Sequence, residues 1–131
     1  MTLFRLRARK AAFVAILSLV IVSCSSSITP EPLIGRAWIR TDQTELPGEM
    51  LLFLKDGTVL MDSCWETYRL ATWKQTSDNK LIFVEDQMET PVELLKLTAD
   101  ELHIRLELPR EMRERRFRYQ RSPYLCPDMK R

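Results

Sequence analysis

Glycine is scarce in this chain, with only Gly35, Gly48 and Gly57 among 131 residues, and histidine occurs once, at His103. Three scattered glycines exclude a glycine-rich loop for cradling phosphates, and no Gly-x-Ser-x-Gly elbow surrounds Ser63. One histidine and three cysteines make a poor zinc set, so no metal and no cofactor is expected. Nor is there an apolar run near the roughly 20 residues that a spanning helix needs. Glu85, Asp86 and Glu89 cluster, but they lack the regular oxygen spacing of a calcium loop and have no nucleophile beside them. They read as a solvated turn, and His103 reads as a solvated strand residue. The chain is not expected to be an enzyme.

What is present begins with the leader. Arg5, Arg7, Arg9 and Lys10 precede an apolar run of 12 residues, Ala11 to Val22, closed by Ser23 and Cys24. A positive start, a short apolar stretch and a small residue at its end are the pattern of an export signal. Ile21-Val22-Ser23-Cys24 resembles the lipobox of bacterial lipoproteins, which implies a signal peptide over 1–23 and acylation of Cys24. Several acyl chains would anchor it firmly, since each buried methylene contributes about 0.8 kcal/mol. Ser25 follows Cys24, without the aspartate that retains such proteins at the inner membrane. The resemblance therefore implies a lipid-anchored protein of the bacterial cell envelope, on the periplasmic face of the outer membrane.

Removing residues 1–23 takes away four of the 20 basic residues and none of the 18 acidic ones, which leaves the mature side chains at −2. A folded part without a basic excess does not suit nucleic acid as a partner. The remaining 108 residues suffice for one modest domain, expected to be a monomer. Cys64 and Cys126 remain as an even pair in an oxidising compartment, which predicts a disulfide; two free thiols or a metal pair are the alternatives.

Residues 24–32 are small, polar and proline-bearing, and read as a linker, with the domain running over 33–131. Short β-type runs then alternate with turn signals about every ten residues. They are expected at Arg36 to Thr41, Met50 to Lys55, Thr58 to Met61, Tyr68 to Lys74, Lys80 to Glu85, Pro91 to Leu97, Glu101 to Leu108 and Arg113 to Arg121. Asp56-Gly57 is expected to supply the positive φ values of a tight hairpin. Leu102, Ile104, Leu106 and Leu108 alternate with polar residues, so that strand has one dry face. About eight short strands bury a core only by curling, which predicts an all-β, small antiparallel up-and-down barrel.

Leu33-Ile34-Gly35-Arg36-Ala37-Trp38, Phe53 to Val59, Ala71-Thr72-Trp73 with Asp78 to Phe83, and Leu97 to Leu102 together resemble the lipocalin-like domain of small bacterial lipoproteins. Here two residues rather than one separate Gly35 from Trp38. The resemblance implies a barrel that holds a hydrophobic or amphipathic small molecule. Candidate lining residues are Trp38, Phe53, Trp73, Phe83, Arg115, Phe117, Tyr119 and Arg121, with Arg115 and Arg121 bracketing an apolar interior. The aromatic residues could instead fill the core, and one of these arginines could stack on an aromatic such as Trp38. A surface-acting module that binds or inhibits an envelope protein is the alternative function.

Overall fold

The computed structural model describes residues 31–42 and 45–127. The expected signal peptide, Cys24 and most of the linker lie outside the described residues. Glu31 and Pro32, read above as linker, instead form a 3-10 turn with Leu33.

Eight strands follow in order: β1 (Ala37–Arg40), β2 (Met50–Phe53), β3 (Thr58–Asp62), β4 (Arg69–Ser77), β5 (Lys80–Glu85), β6 (Met88–Leu97), β7 (Glu101–Leu108) and β8 (Glu111–Tyr119). Each pairs antiparallel with the next, and β1 pairs with β8, so the sheet closes into a small all-β up-and-down barrel. The closing register sets Trp38 opposite Tyr119 and Arg40 opposite Phe117. The closing ladder joins Trp38 to Arg40 with Phe117 to Tyr119, which pairs the edges of β1 and of the last part of β8.

Alternation along each strand determines what lies inside. Trp38, Leu51, Phe53, Val59, Ala71, Leu81, Phe83, Val92, Leu94, Leu102, Ile104, Leu106 and Phe117 form one buried cluster. Leu33 joins them from the 3-10 turn and is fully buried. It lies under one end of the barrel, where Gly35 N–H donates to the Phe53 carbonyl at 2.8 Å. Trp38 Nε1 donates to the Leu33 carbonyl at 3.0 Å, so the largest core side chain buries its polar atom without the roughly 1–3 kcal/mol penalty of an unmet donor. The 3-10 turn thus closes this end. The opposite end, where β1, β3, β5 and β7 finish, is the mouth.

Several local expectations change. The β2–β3 hairpin forms where Asp56-Gly57 placed it, but its loop spans Leu54 to Gly57 and Gly57 alone has positive φ, at 86°. Leu54 N–H donates to the Thr58 carbonyl, and Gly57 N–H to the Leu54 carbonyl, the bonding of a longer loop ending in a bulge-type glycine. The two-residue turn with both φ values positive occurs at Asp86 (49°) and Gln87 (69°), between Glu85 and Met88. β6 therefore begins at Met88, three residues before the expected Pro91. Its ladder to β7 starts only at Val92, so Pro91 sits beyond that ladder's end. β8 ends at Tyr119, and register shifts near Thr76 and Leu95 bend β4 and β6.

The disulfide is present between Cys64 and Cys126, with Cα atoms 5.5 Å apart. It fastens the chain after β8 to the loop after β3, on the outside of the barrel. Ile39 points outward from β1 yet is only 8% exposed. It lines a small depression with Gly48, Cys64, Tyr124 and Cys126, which accounts for the cover on its outer face.

Candidate functional site

The eight candidate lining residues do not meet in one place. Trp38, Phe53, Phe83 and Phe117 are buried in the packed core. Trp73 is partly buried, edge-on to Phe53 with ring centroids 5.6 Å apart, and its Nε1 donates to the Leu54 carbonyl at 3.1 Å. Tyr119 lies at the closed end between two guanidinium groups, Arg36 at 5.2 Å and Arg121 at 5.8 Å from its ring. The arginine stacking expected on Trp38 therefore falls on Tyr119. Arg121 also pairs with Asp100 at 3.0 Å and is largely exposed. Arg115 alone reaches the mouth, so Arg115 and Arg121 stand at opposite ends of the barrel.

At the mouth Arg115 is one of several charges. Its Nη1 contacts Glu49 Oε1 at 2.7 Å, while Arg40 Nη1 contacts Glu49 Oε2 at 2.8 Å, so one carboxylate is shared by two guanidinium groups. Arg40 also holds Asp42 at 2.6 Å. Burial lowers the Arg115 pKa, with Glu49 opposing that shift. For Arg40 burial also acts downward, but the bonds to Asp42 and Glu49 outweigh it and the pKa rises. Arg115 Nε is buried without a hydrogen-bond partner. Arg113 lies on the same face of β8 and pairs with Glu111, and Arg69 pairs with Glu85 at 2.9 Å. These groups border a depression of about 220 Å³ whose lining includes Met61, Arg40, Arg69, Arg113 and Arg115.

Sequence reasoning found Arg115 and missed Arg40, Glu49, Arg69 and Arg113. The parity that aligned Arg115 with Phe117 extends one step to Arg113, and Arg40 lies two residues beyond Trp38, so the strand pattern carried both. Glu49 precedes its strand and carried no such signal.

Beside these charges the mouth end exposes large apolar side chains. Of the eight large hydrophobic residues exposed among those described, Leu54 is at the closed end. Trp65, Tyr68 and Leu70 follow β3, Met88 and Met112 begin β6 and β8, and Tyr124 and Leu125 precede Cys126. All seven therefore belong to the mouth end. Trp65 is 58% exposed and Leu125 74%. Scattered exposed apolar residues are ordinary, whereas these seven are gathered at one end of the barrel. Comparison of the chain with protein-family models, with curated proteins and with solved structures gave no match.

Proposed function

We propose that this chain is a lipid-anchored cell-envelope protein, lipocalin-like and non-enzymatic, that acts as a protein-binding module through the mouth end of its barrel. The observation that carries this reading is the gathering of seven exposed apolar side chains at one end of a barrel whose interior is filled. The inward-facing side chains pack against one another as one buried cluster, whereas aromatic, methionine and arginine side chains on one surface are the composition of protein interfaces. The direction of the tether supports it as well. The chain enters through the 3-10 turn at the closed end, so an anchor at Cys24 would leave the mouth facing away from the membrane that holds it.

The depression beside Met61, lined by four arginines and by Glu45, Glu49, Asp62 and Glu66, favours a second reading, a small amphipathic molecule whose polar end meets these paired charges. Two measurements separate them. Photo-crosslinking residues placed at Trp65, at Met112 and, for comparison, at Leu54 are expected to give a discrete protein adduct in the native host from the first two positions only. Equal crosslinking from Leu54 counts against the protein-binding reading. So does native mass spectrometry of the full-length chain that shows a small-molecule adduct stripped by organic solvent, which is the outcome the second reading requires.

A further inference from the structure

Arg40, Arg69, Arg113 and Arg115 at the mouth each face a carboxylate, and on the outer wall of β7 and β8 His103 and Arg105 share Glu114, but Arg116 and Arg118 of that wall have no such ion pair among the described residues. His103 stands opposite Arg116 and Glu101 opposite Arg118, and Lys96 of β6 stands opposite His103. Side chains in such a row have Cβ atoms roughly 5 Å apart, and Arg116 and Arg118, two residues apart on one strand, project from the same face about 7 Å from each other. Among the described residues, no carboxylate lies within salt-bridge distance of either guanidinium, whereas Lys96 is tied to Glu101. Asp42 is spent on Arg40 and on the backbone N–H of Arg116, at 2.6 and 3.0 Å. His103 uses Nε2 on Glu114 at 3.0 Å. These residues line a surface groove of about 400 Å³. Its lining holds Lys96, Arg116 and Arg118 against the single carboxylate Glu101, an excess of two positive charges before His103 is counted.

We infer that this groove binds a phosphate group, with Arg116 and Arg118 as its principal donors and Lys96 closing one side. Guanidinium groups present planar pairs of N–H donors that match phosphate oxygens, and bonds between ionised partners are roughly twice as strong as neutral ones. A doubly charged group offsets the surplus of two, which a single carboxylate does not. The ligand chemistry is shared by free phosphate, phosphomonoesters and the head groups of anionic phospholipids. The groove lies on the barrel wall and is lined by none of the exposed apolar residues of the mouth, so this inference stands apart from the protein-binding reading.

The test uses the full-length chain in detergent at constant ionic strength. Isothermal titration with inorganic phosphate is expected to show saturable binding, and Arg116→Gln with Arg118→Gln to weaken it about tenfold or more. Lys55→Gln, in the β2–β3 loop and outside the lining of both this groove and the mouth depression, leaves it unchanged. Both β8 side chains are solvent-exposed and, among the described residues, make no side-chain hydrogen bond or ion pair, so the double variant should keep its fold, checked by an unchanged circular dichroism spectrum. A parallel arm measures binding to phosphatidylglycerol vesicles against phosphatidylcholine vesicles, with the detergent removed. Saturation by phosphate identifies a free anion or phosphomonoester, and variant-sensitive binding to the anionic vesicles alone identifies a lipid head group. Absence of saturable binding in both arms, or binding that the double variant leaves intact, overturns the inference.

Discussion

Glu49 and Arg115 are 66 residues apart in sequence and 2.7 Å apart at the barrel mouth, where Glu49 also receives Arg40. Both side chains are largely shielded from water, at 13% and 25% exposure. Removing one member of a shielded pair leaves the other charge uncompensated, which costs more than the pair itself contributes. Glu49→Gln strands the Arg115 guanidinium, leaves Arg40 with Asp42 alone, and is expected to destabilise the fold by about 1–3 kcal/mol. Arg115→Met removes a cation whose Nε has no partner, leaves Glu49 paired with Arg40, and should cost clearly less. Urea unfolding of both variants and of the double variant measures the coupling; equal losses would show that Glu49 does not organise the mouth.

Gly48 explains why the covalent latch fits. Its φ is +73°, and a Cβ built there would lie 2.7 Å from Cys64 Sγ and 2.8 Å from the Tyr124 ring. Cys64 N–H donates to the Pro47 carbonyl at 2.9 Å, so the loops before β2 and after β3 are already joined at this point. Gly48→Ala is expected to lower stability by about 1–3 kcal/mol through strain at positive φ and displacement of the tail. Cys126→Ser opens a link across 62 residues and should cost about 4 kcal/mol on the chain-entropy account. With the tail released the alanine has less to push against, so the two losses should sum to less than their separate values in a chemical-denaturation cycle.

The turn at Asp86 and Gln87 holds two non-glycine residues at positive φ. Aspartate tolerates this region through its short polar side chain, whereas glutamine gains nothing from it. Gln87→Gly creates the Asp-Gly pair favoured in such two-residue hairpins and is expected to add about 0.5–1 kcal/mol. A thermal melt of the variant measures it, and an unchanged or lower Tm would mean that Gln87 makes a compensating contact.

How much of this was legible in the sequence follows from the kind of order involved. Alternation of Leu102, Ile104 and Leu106 announced β7 and its dry face because a period of two needs only local chemistry. Cysteine parity announced the disulfide. The turn at Asp86 and Gln87 was hidden because neither residue is glycine, so the cue went to Asp56-Gly57, where a longer loop forms. β6 was read from Pro91, whereas it starts at Met88 and only its ladder to β7 begins at Val92. Ile39 is buried on the outward face only because a tail some 85 residues later is fastened near it, and no local pattern reports that. Arg115 was placed correctly on the aromatic face of β8. Its partner was not, since Glu49 meets it through barrel closure alone.

Acid should act first on the outer face of β7 and β8. Arg105 reaches Glu114 at 2.9 Å and Glu93 at 3.0 Å, and its hydrogen bond to Glu114, joined by His103, holds that carboxyl below its ordinary 4.5. Glu101 is likewise held down by Lys96, and Asp56 by the N–H of Thr58. A carboxyl depressed in the folded state binds protons more tightly when unfolded. Its stabilisation is therefore fully present above about 4.5, and it is lost as pH falls from there through the lower folded value. Stability should accordingly decline with pH below about 4.5, and Glu114→Gln should make that decline shallower while lowering stability slightly at pH 7. Chemical denaturation from pH 3 to 7 reads both effects. A variant whose curve merely shifts down, with the same slope below pH 4.5, would show that Glu114 titrates alike in the folded and unfolded chain.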